Sequence, residues 1–125
     1  MWIFSEGGFI SAVAHRDKKD TLLVRSRDRV SLDPLAKFAE VKIKTTPDAD
    51  YRYRIEVSKT VFAAWMSDQI EDLDYDNYKN RVHRTRGNDF AAPLHDVWSV
   101  MLEVDDAVGG PKTRYFDRLD DWDLD

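Results

Sequence analysis

Tyr51-Arg52-Tyr53-Arg54-Ile55-Glu56-Val57-Ser58 runs straight into Lys59-Thr60-Val61-Phe62-Ala63-Ala64-Trp65-Met66. The first stretch alternates with period two. Tyr53, Ile55 and Val57 point one way, and Arg52, Arg54 and Glu56 point the other. The second stretch switches to spacings of three and four. Phe62, Trp65, Met66, Ile70 and Leu73 form one apolar stripe, and Ser58 stands where an N-cap belongs. A half-buried strand feeding an amphipathic helix points to an α+β domain.

Upstream, Val41 to Thr45 also alternates, and the Pro47-Asp48-Ala49-Asp50 run after it is turn chemistry. Residues 41 to 57 therefore read as a hairpin. Residues 2 to 16 read as a strand region broken at Gly7-Gly8. Thr21 to Arg27 reads as its hairpin partner across Asp17-Lys18-Lys19-Asp20. Ser31 reads as the N-cap of a short helix from Leu32 to about Ala39, with Val30 and Leu35 as a hydrophobic staple and Pro34 in the first turn. Tyr75, Tyr78 and Val82 either extend the helix that follows Ser58 or begin another. Gly87-Asn88-Asp89 breaks the chain, and a last helix carries Leu94, Val97, Trp98, Met101 and Leu102 on one stripe.

The element order is β-β-α-β-β-α-α. Moving the first strand to the end gives β-α-β-β-α-β, the order of a ferredoxin-like sandwich. The expectation is a four-stranded antiparallel sheet with helices on one face, ferredoxin-like or a circular permutation of it. Trp65 and Trp98 are both expected in the core.

Composition narrows the chemistry. The chain has no cysteine, which excludes disulfides, thiolate catalysis and cysteine-ligated metals. No segment approaches the ~20 apolar residues of a membrane-spanning helix, and the first residues lack a basic leader pattern. A cytoplasmic protein without membrane contact is expected. The net charge of −5 is localised: residues 1 to 102 carry 16 acidic and 16 basic side chains, and residues 103 to 125 carry 8 acidic and 3 basic. Gly109-Gly110-Pro111 is a linker signal. The expected division is a single domain over residues 1–108 and an acidic, aromatic tail over 109–125.

Three regions are candidates for binding. Strand alternation gathers Arg25, Arg27, Lys42, Lys44, Arg52 and Arg54 on one sheet face, which suits phosphates or nucleic acid. Exposed strand cations also pair routinely with carboxylates, and Glu56 and Asp28 are near in sequence. RNA-binding sheets add aromatic platforms. Here alternation sends Tyr51 and Tyr53 to the opposite side and leaves Phe9 alone to join the cations. The second region, Asp74 to Arg81, is rich in polar aromatics, with Tyr75, Asn77, Tyr78 and Lys79 as partner-binding candidates or as core and cap residues. The third is the tail, where Tyr115, Phe116, Leu119 and Trp122 interleave with carboxylates. Such a segment folds on a partner, docks on its own domain or stays unfolded.

Catalytic and cofactor signals are weak. Asp72, Asp74 and Asp76 open like a calcium loop, but Asn77 and His83 occupy the positions that require Gly and Glu. His15, His83 and His95 lack metal-ligand spacing. His95 and Ser99 share a helix face without a carboxylate to orient the imidazole. There is no nucleophile elbow, phosphate loop or dinucleotide fingerprint. No cofactor, metal or catalytic residue is expected.

Met1-Trp2-Ile3-Phe4, Gly8-Phe9, Thr21 to Arg27, Asp48 to Arg54, Asp74 to Lys79 and His95 to Met101 together resemble a group of small uncharacterised bacterial proteins, with similar ones in phages of actinobacteria. The resemblance covers residues 1 to 102 and stops before the tail. It implies a shared fold and carries no activity with it. It marks Arg25, Arg27, Arg52, Arg54, Asp74, Asn77, Lys79 and His95 without giving them roles. The expected function is non-enzymatic binding of another protein through the tail or the tyrosine-rich segment, host-directed if the chain is of phage origin. Binding of phosphate or nucleic acid by the basic face is the alternative, and an enzyme site near His95 is a second alternative.

Overall fold

The computed structural model describes residues 1–107. The tail residues Tyr115, Phe116, Leu119 and Trp122 lie outside the described residues. The chain divides into two compact units, Met1–Asp74 and Tyr75 onward. Among the described residues no helix is long and apolar enough to cross a membrane.

The first unit is a five-stranded antiparallel sheet with two helices. Its elements are β1 (Trp2–Ser5), β2 (Gly8–Ala14), β3 (Thr21–Ser26), α1 (Arg29–Ala39), β4 (Lys44–Thr45), β5 (Tyr53–Ser58) and α2 (Lys59–Glu71). The strand order is β1-β2-β3-β5-β4, with every neighbouring pair antiparallel. The expected four strands are therefore five. The Gly7-Gly8 break does not interrupt one strand; it reverses the chain. Ser5 pairs with Gly8, so Glu6-Gly7 is a two-residue hairpin turn, and Gly8 takes a φ of 143° that a side chain would oppose.

Both helices pack on the same sheet face and on each other. Ile10 and Ala12 of β2, Val24 of β3, and Ile55 and Val57 of β5 meet Leu32, Leu35 and Ala36 of α1 and Phe62 and Trp65 of α2 in one buried cluster. The alternation read from the sequence holds here: Val24 faces Ile55 across the ladder, and Leu22 faces Val57. Ser58 caps α2 as expected, its hydroxyl accepting from the Val61 N–H at 3.1 Å. The stripe on α2 is only half used. Phe62 and Trp65 are buried, while Ile70 and Leu73 are exposed.

Ser31 is not an N-cap. Helix α1 starts one turn earlier with Asp28 at the cap position, which puts Val30 in the first turn and exposes it. Ser31 is buried instead: its hydroxyl donates to Asp28 Oδ1 at 2.5 Å and accepts from the Phe9 N–H of β2 at 3.2 Å. It thus ties helix to sheet rather than starting the helix.

Strand β4 is shorter than its alternation implied, because the end of α1 consumes Glu40 and Val41. Glu40 sits at φ 56°, ψ 43°; its N–H donates to Lys37 O and the Val41 N–H donates to Ala36 O. That is a Schellman closure with glutamate where glycine is preferred. A left-handed non-glycine residue is strained, and an anion at a helix C-terminus opposes the dipole. Glu40→Gly should stabilise the protein by about 0.5–1 kcal/mol after allowing for the greater freedom of glycine in the unfolded chain. Urea denaturation measures it. An unchanged or lower midpoint would contradict this account of the turn.

The second unit contains α3 (Tyr78–Arg86), α4 (Asn88–Met101) and α5 (Glu103–Ala107). Tyr75 to Val82 thus belong to a separate helix start and do not extend α2. Gly87 alone joins α3 to α4, at φ 81° and ψ 175°, a conformation that glycine reaches without strain. The expected core stripe on α4 is not buried. Leu94 and Trp98 are half-buried, Val97 and Met101 are exposed, and Leu102, just past the helix, is buried. Trp98 is therefore not the core residue that its spacing suggested, and nothing in α4 itself is fully buried.

Candidate nucleic-acid interface

The sheet face opposite α1 and α2 is built by the ladder registers. Trp2 pairs with Ser11, Ser11 with Arg25, Arg25 with Arg54, and Arg54 with Lys44. These five residues form one row across all five strands. Paired residues in antiparallel strands share a face, so the row joins an indole, a hydroxyl and three cations.

Among the described residues, the cations are positioned without carboxylates. Arg25 Nη2 donates to Ser11 Oγ at 3.0 Å, and its guanidinium lies 4.6 Å from the centroid of the Tyr51 ring. Arg27 lies over the same ring at 5.0 Å. Arg54 Nη2 donates to Tyr51 O at 3.2 Å. Among the described residues, none of Arg25, Arg27, Lys42, Lys44, Arg52 and Arg54 forms an ion pair. The two carboxylates that the sequence set near them are engaged with other groups. Glu56 is held by His15 and Lys18, and Asp28 accepts from Ser31. Arg25 and Arg54 face each other as like charges across the ladder, an arrangement that costs stability. Arg52 is exposed but precedes β5, so the ladder does not fix it as it fixes Arg54.

Alternation assigned Tyr51 to the wrong side, and its ring is buried under two arginines rather than open as a stacking platform. Residues 50–52 are bends before β5 begins, so period two does not extend back to Tyr51. Its ring lies against Arg25 and Arg27, on the basic face, while Tyr53 packs against the core. Phe9 joins this face as expected. Its ring stacks on Phe4 at 4.5 Å, meets Trp2 edge-on at 5.8 Å and lies 6.4 Å from Tyr51. Trp2 is 68% exposed and Phe4 36%. Sequence reasoning missed Trp2, Phe4 and Tyr51. Reading Glu6-Gly7 as a turn would have found the first two, because it sets Phe4 opposite Phe9.

One end of the face is bounded by a polar knot. His15 Nδ1 accepts from the Asp17 and Lys18 N–H groups, each at 3.0 Å, so Nε2 carries the proton that meets Glu56 Oε1 at 2.9 Å. Lys18 Nζ reaches Glu56 Oε2 at 2.6 Å. Lys18 first, and His15 second, hold the Glu56 carboxyl below its ordinary range. The linkage follows: the stabilisation is complete above the ordinary carboxylate range and is lost as pH falls through the depressed value. Lys18→Met should move the Glu56 carboxyl midpoint upward in an NMR titration. A midpoint that stays put would show that Lys18 is not its main partner.

The tyrosine-rich segment has a different geometry. Asn77 caps α3, its side chain accepting from the Asn80 N–H at 2.9 Å. The Tyr75 and Tyr78 rings lie 6.2 Å apart, Arg81 sits 5.1 Å from the Tyr75 centroid, and Lys79 Nζ lies 5.4 Å from that of Trp98. Burial, with Tyr75 adding to it, pushes the Tyr78 phenol well above its ordinary range. These side chains largely serve their own unit. His95 is exposed, with its ring 5.4 Å from Trp98.

No protein-family model, curated protein or solved structure matches this chain. The chemistry of the face itself therefore carries the functional reading.

Proposed function

We propose that the first unit binds single-stranded nucleic acid on the sheet face opposite its helices. The observation that carries this reading is the coincidence, on one face, of an aromatic cluster and cations that no carboxylate among the described residues neutralises. Single strands are held by that pair of features: bases stack on rings, and phosphates meet Arg and Lys. Bound phosphates would also relieve the opposition of Arg25 and Arg54. The strand order β2-β3-β5-β4 supports a ferredoxin-like reading of the sheet, with its first-in-sequence strand β2 standing where the last would be and β1 added at the edge.

The test is anisotropy of a labelled oligothymidylate and an oligouridylate across a salt series. Binding should weaken steeply, with a log–log slope of about −0.7 for each phosphate contact. Absence of binding even at low salt would end the proposal.

A second reading, binding of another protein by the second unit, is favoured by one observation. Val97, Val100 and Met101 of α4 are exposed, the last two lying three and four residues beyond the first, and Val104 of α5 is exposed as well. Such a stripe suits a partner's apolar groove. The acidic tail and the Tyr75–Lys79 segment remain part of this reading.

A further inference from the structure

Where β4 borders the face, the sheet is indented by a depression of about 550 Å³. Lys42, Lys44 and Arg54 supply its cations, and Leu23 and Val41 its apolar lining. It arises because β4 is only two residues long, so the chain between α1 and β4 leaves the sheet plane uncovered beside β5. We propose that this depression holds the phosphomonoester of a nucleotide, most directly the phosphorylated end of a bound strand; the proposal rests on the nucleic-acid reading above.

Three properties point to a monoester. First, the depression lies at the end of the cross-sheet row, where Lys44 and Arg54 are the last two members. A strand crossing the sheet along that row reaches the depression with its terminus. Second, three cations converge there, and none has an ion-pair partner among the described residues. A phosphomonoester carries a charge of about −1.5 to −2 and three terminal oxygens, more than one diester offers. Arg54 can engage two oxygens at once, and the lysines act as point charges. Third, the space exceeds that of a phosphate and falls within the range of small-ligand sites, so the apolar lining can meet the sugar or base of the end nucleotide. Among the described residues that line the depression, the one carboxylate, Glu56, is already bonded to Lys18 and His15, which limits its repulsion of an anion.

The experiment compares three versions of one oligothymidylate of about eight nucleotides: unphosphorylated, 5′-phosphorylated and 3′-phosphorylated. Thymidine 5′-monophosphate is titrated separately. The full chain, Lys42→Ala and Lys42→Ala/Lys44→Ala are used, and circular dichroism checks that the variants fold. One phosphorylated end should bind roughly tenfold tighter than the unphosphorylated strand, and the ratio should fall toward one in both variants. Binding of thymidine monophosphate that the variants lose would extend the same site to free nucleotides. Equal affinity for all three strands, with no lysine-dependent binding of the monophosphate, would overturn the subsite and leave the face reading standing. A preference that persists in the double variant would also overturn it, by placing the phosphate elsewhere. If no strand binds at low salt, the face reading falls and this proposal falls with it.

Discussion

Arg54→Glu is expected to lower affinity for a single-stranded oligonucleotide by about 10–100-fold while leaving stability within about 1 kcal/mol of the parent. Arg54 occupies the middle of the cationic row, with Arg25 on one side and Lys44 on the other. A hydrogen bond to a charged group contributes about 1.5–3 kcal/mol, which sets the range of the loss. The salt slope should become shallower by about 0.7 for each phosphate contact removed. Stability responds in two opposing directions. The bond from Arg54 Nη2 to Tyr51 O is lost, but a carboxylate then faces Arg25 and Lys44 where like charges stood. Binding and folding are therefore separable at this position. Unchanged affinity and an unchanged salt slope would remove Arg54 from the interface and, with it, the centre of the proposed site.

The largest effect on folding is expected from Trp65→Ala, at about 3–5 kcal/mol. Trp65 is 5% exposed, its ring is 6.0 Å from that of Phe62, and it belongs to the cluster that joins both helices to the sheet. Truncation leaves a cavity that the surrounding β-branched residues cannot readily fill. Single domains are stable by about 5–15 kcal/mol, so this variant would sit close to unfolding at room temperature. Chemical denaturation gives the number. A loss below about 1 kcal/mol would place the indole outside the core. Trp98, half-buried in the second unit, should tolerate the same change better.

These two positions also mark what the sequence discloses and what it hides. The α+β class, the Ser58 cap and the inward set Val24, Ile55, Val57, Phe62 and Trp65 follow from period and capping chemistry alone. Those signals depend on neighbours in sequence. The misread features depend on where a regular element stops. Tyr51 changes face because the bends at 50–52 interrupt the alternation. Lys42 leaves the strand because the closure of α1 uses Glu40 and Val41. Trp2 and Phe4 reach the site because two residues suffice to reverse the chain at Glu6-Gly7. The stripe on α4 was read as buried because spacing reports which residues share a side of a helix. It does not report whether anything lies against that side. The cations of the interface were legible from the sequence. That no carboxylate among the described residues answers them was not, since ion pairing is a tertiary property.

The strand order sets a sequence of events for the growing fold. Strands β1, β2 and β3 pair with their immediate neighbours across short turns, and so do β4 and β5. The centre of the sheet is different: β3 and β5 join residues as distant along the chain as Thr21 and Ser58, with α1 and β4 between them. Closing that loop costs conformational entropy that the local hairpins avoid. The two flanking hairpin systems can form early, and the kinetic barrier then lies in zipping them together along β3 and β5. Arg25 and Arg54 meet only across that last seam, so the repulsion between them is felt late. Screening it should speed the final step more than it strengthens either hairpin. Salt, or any polyanion present during folding, thus acts on the rate through the same two side chains that stand at the centre of the proposed interface.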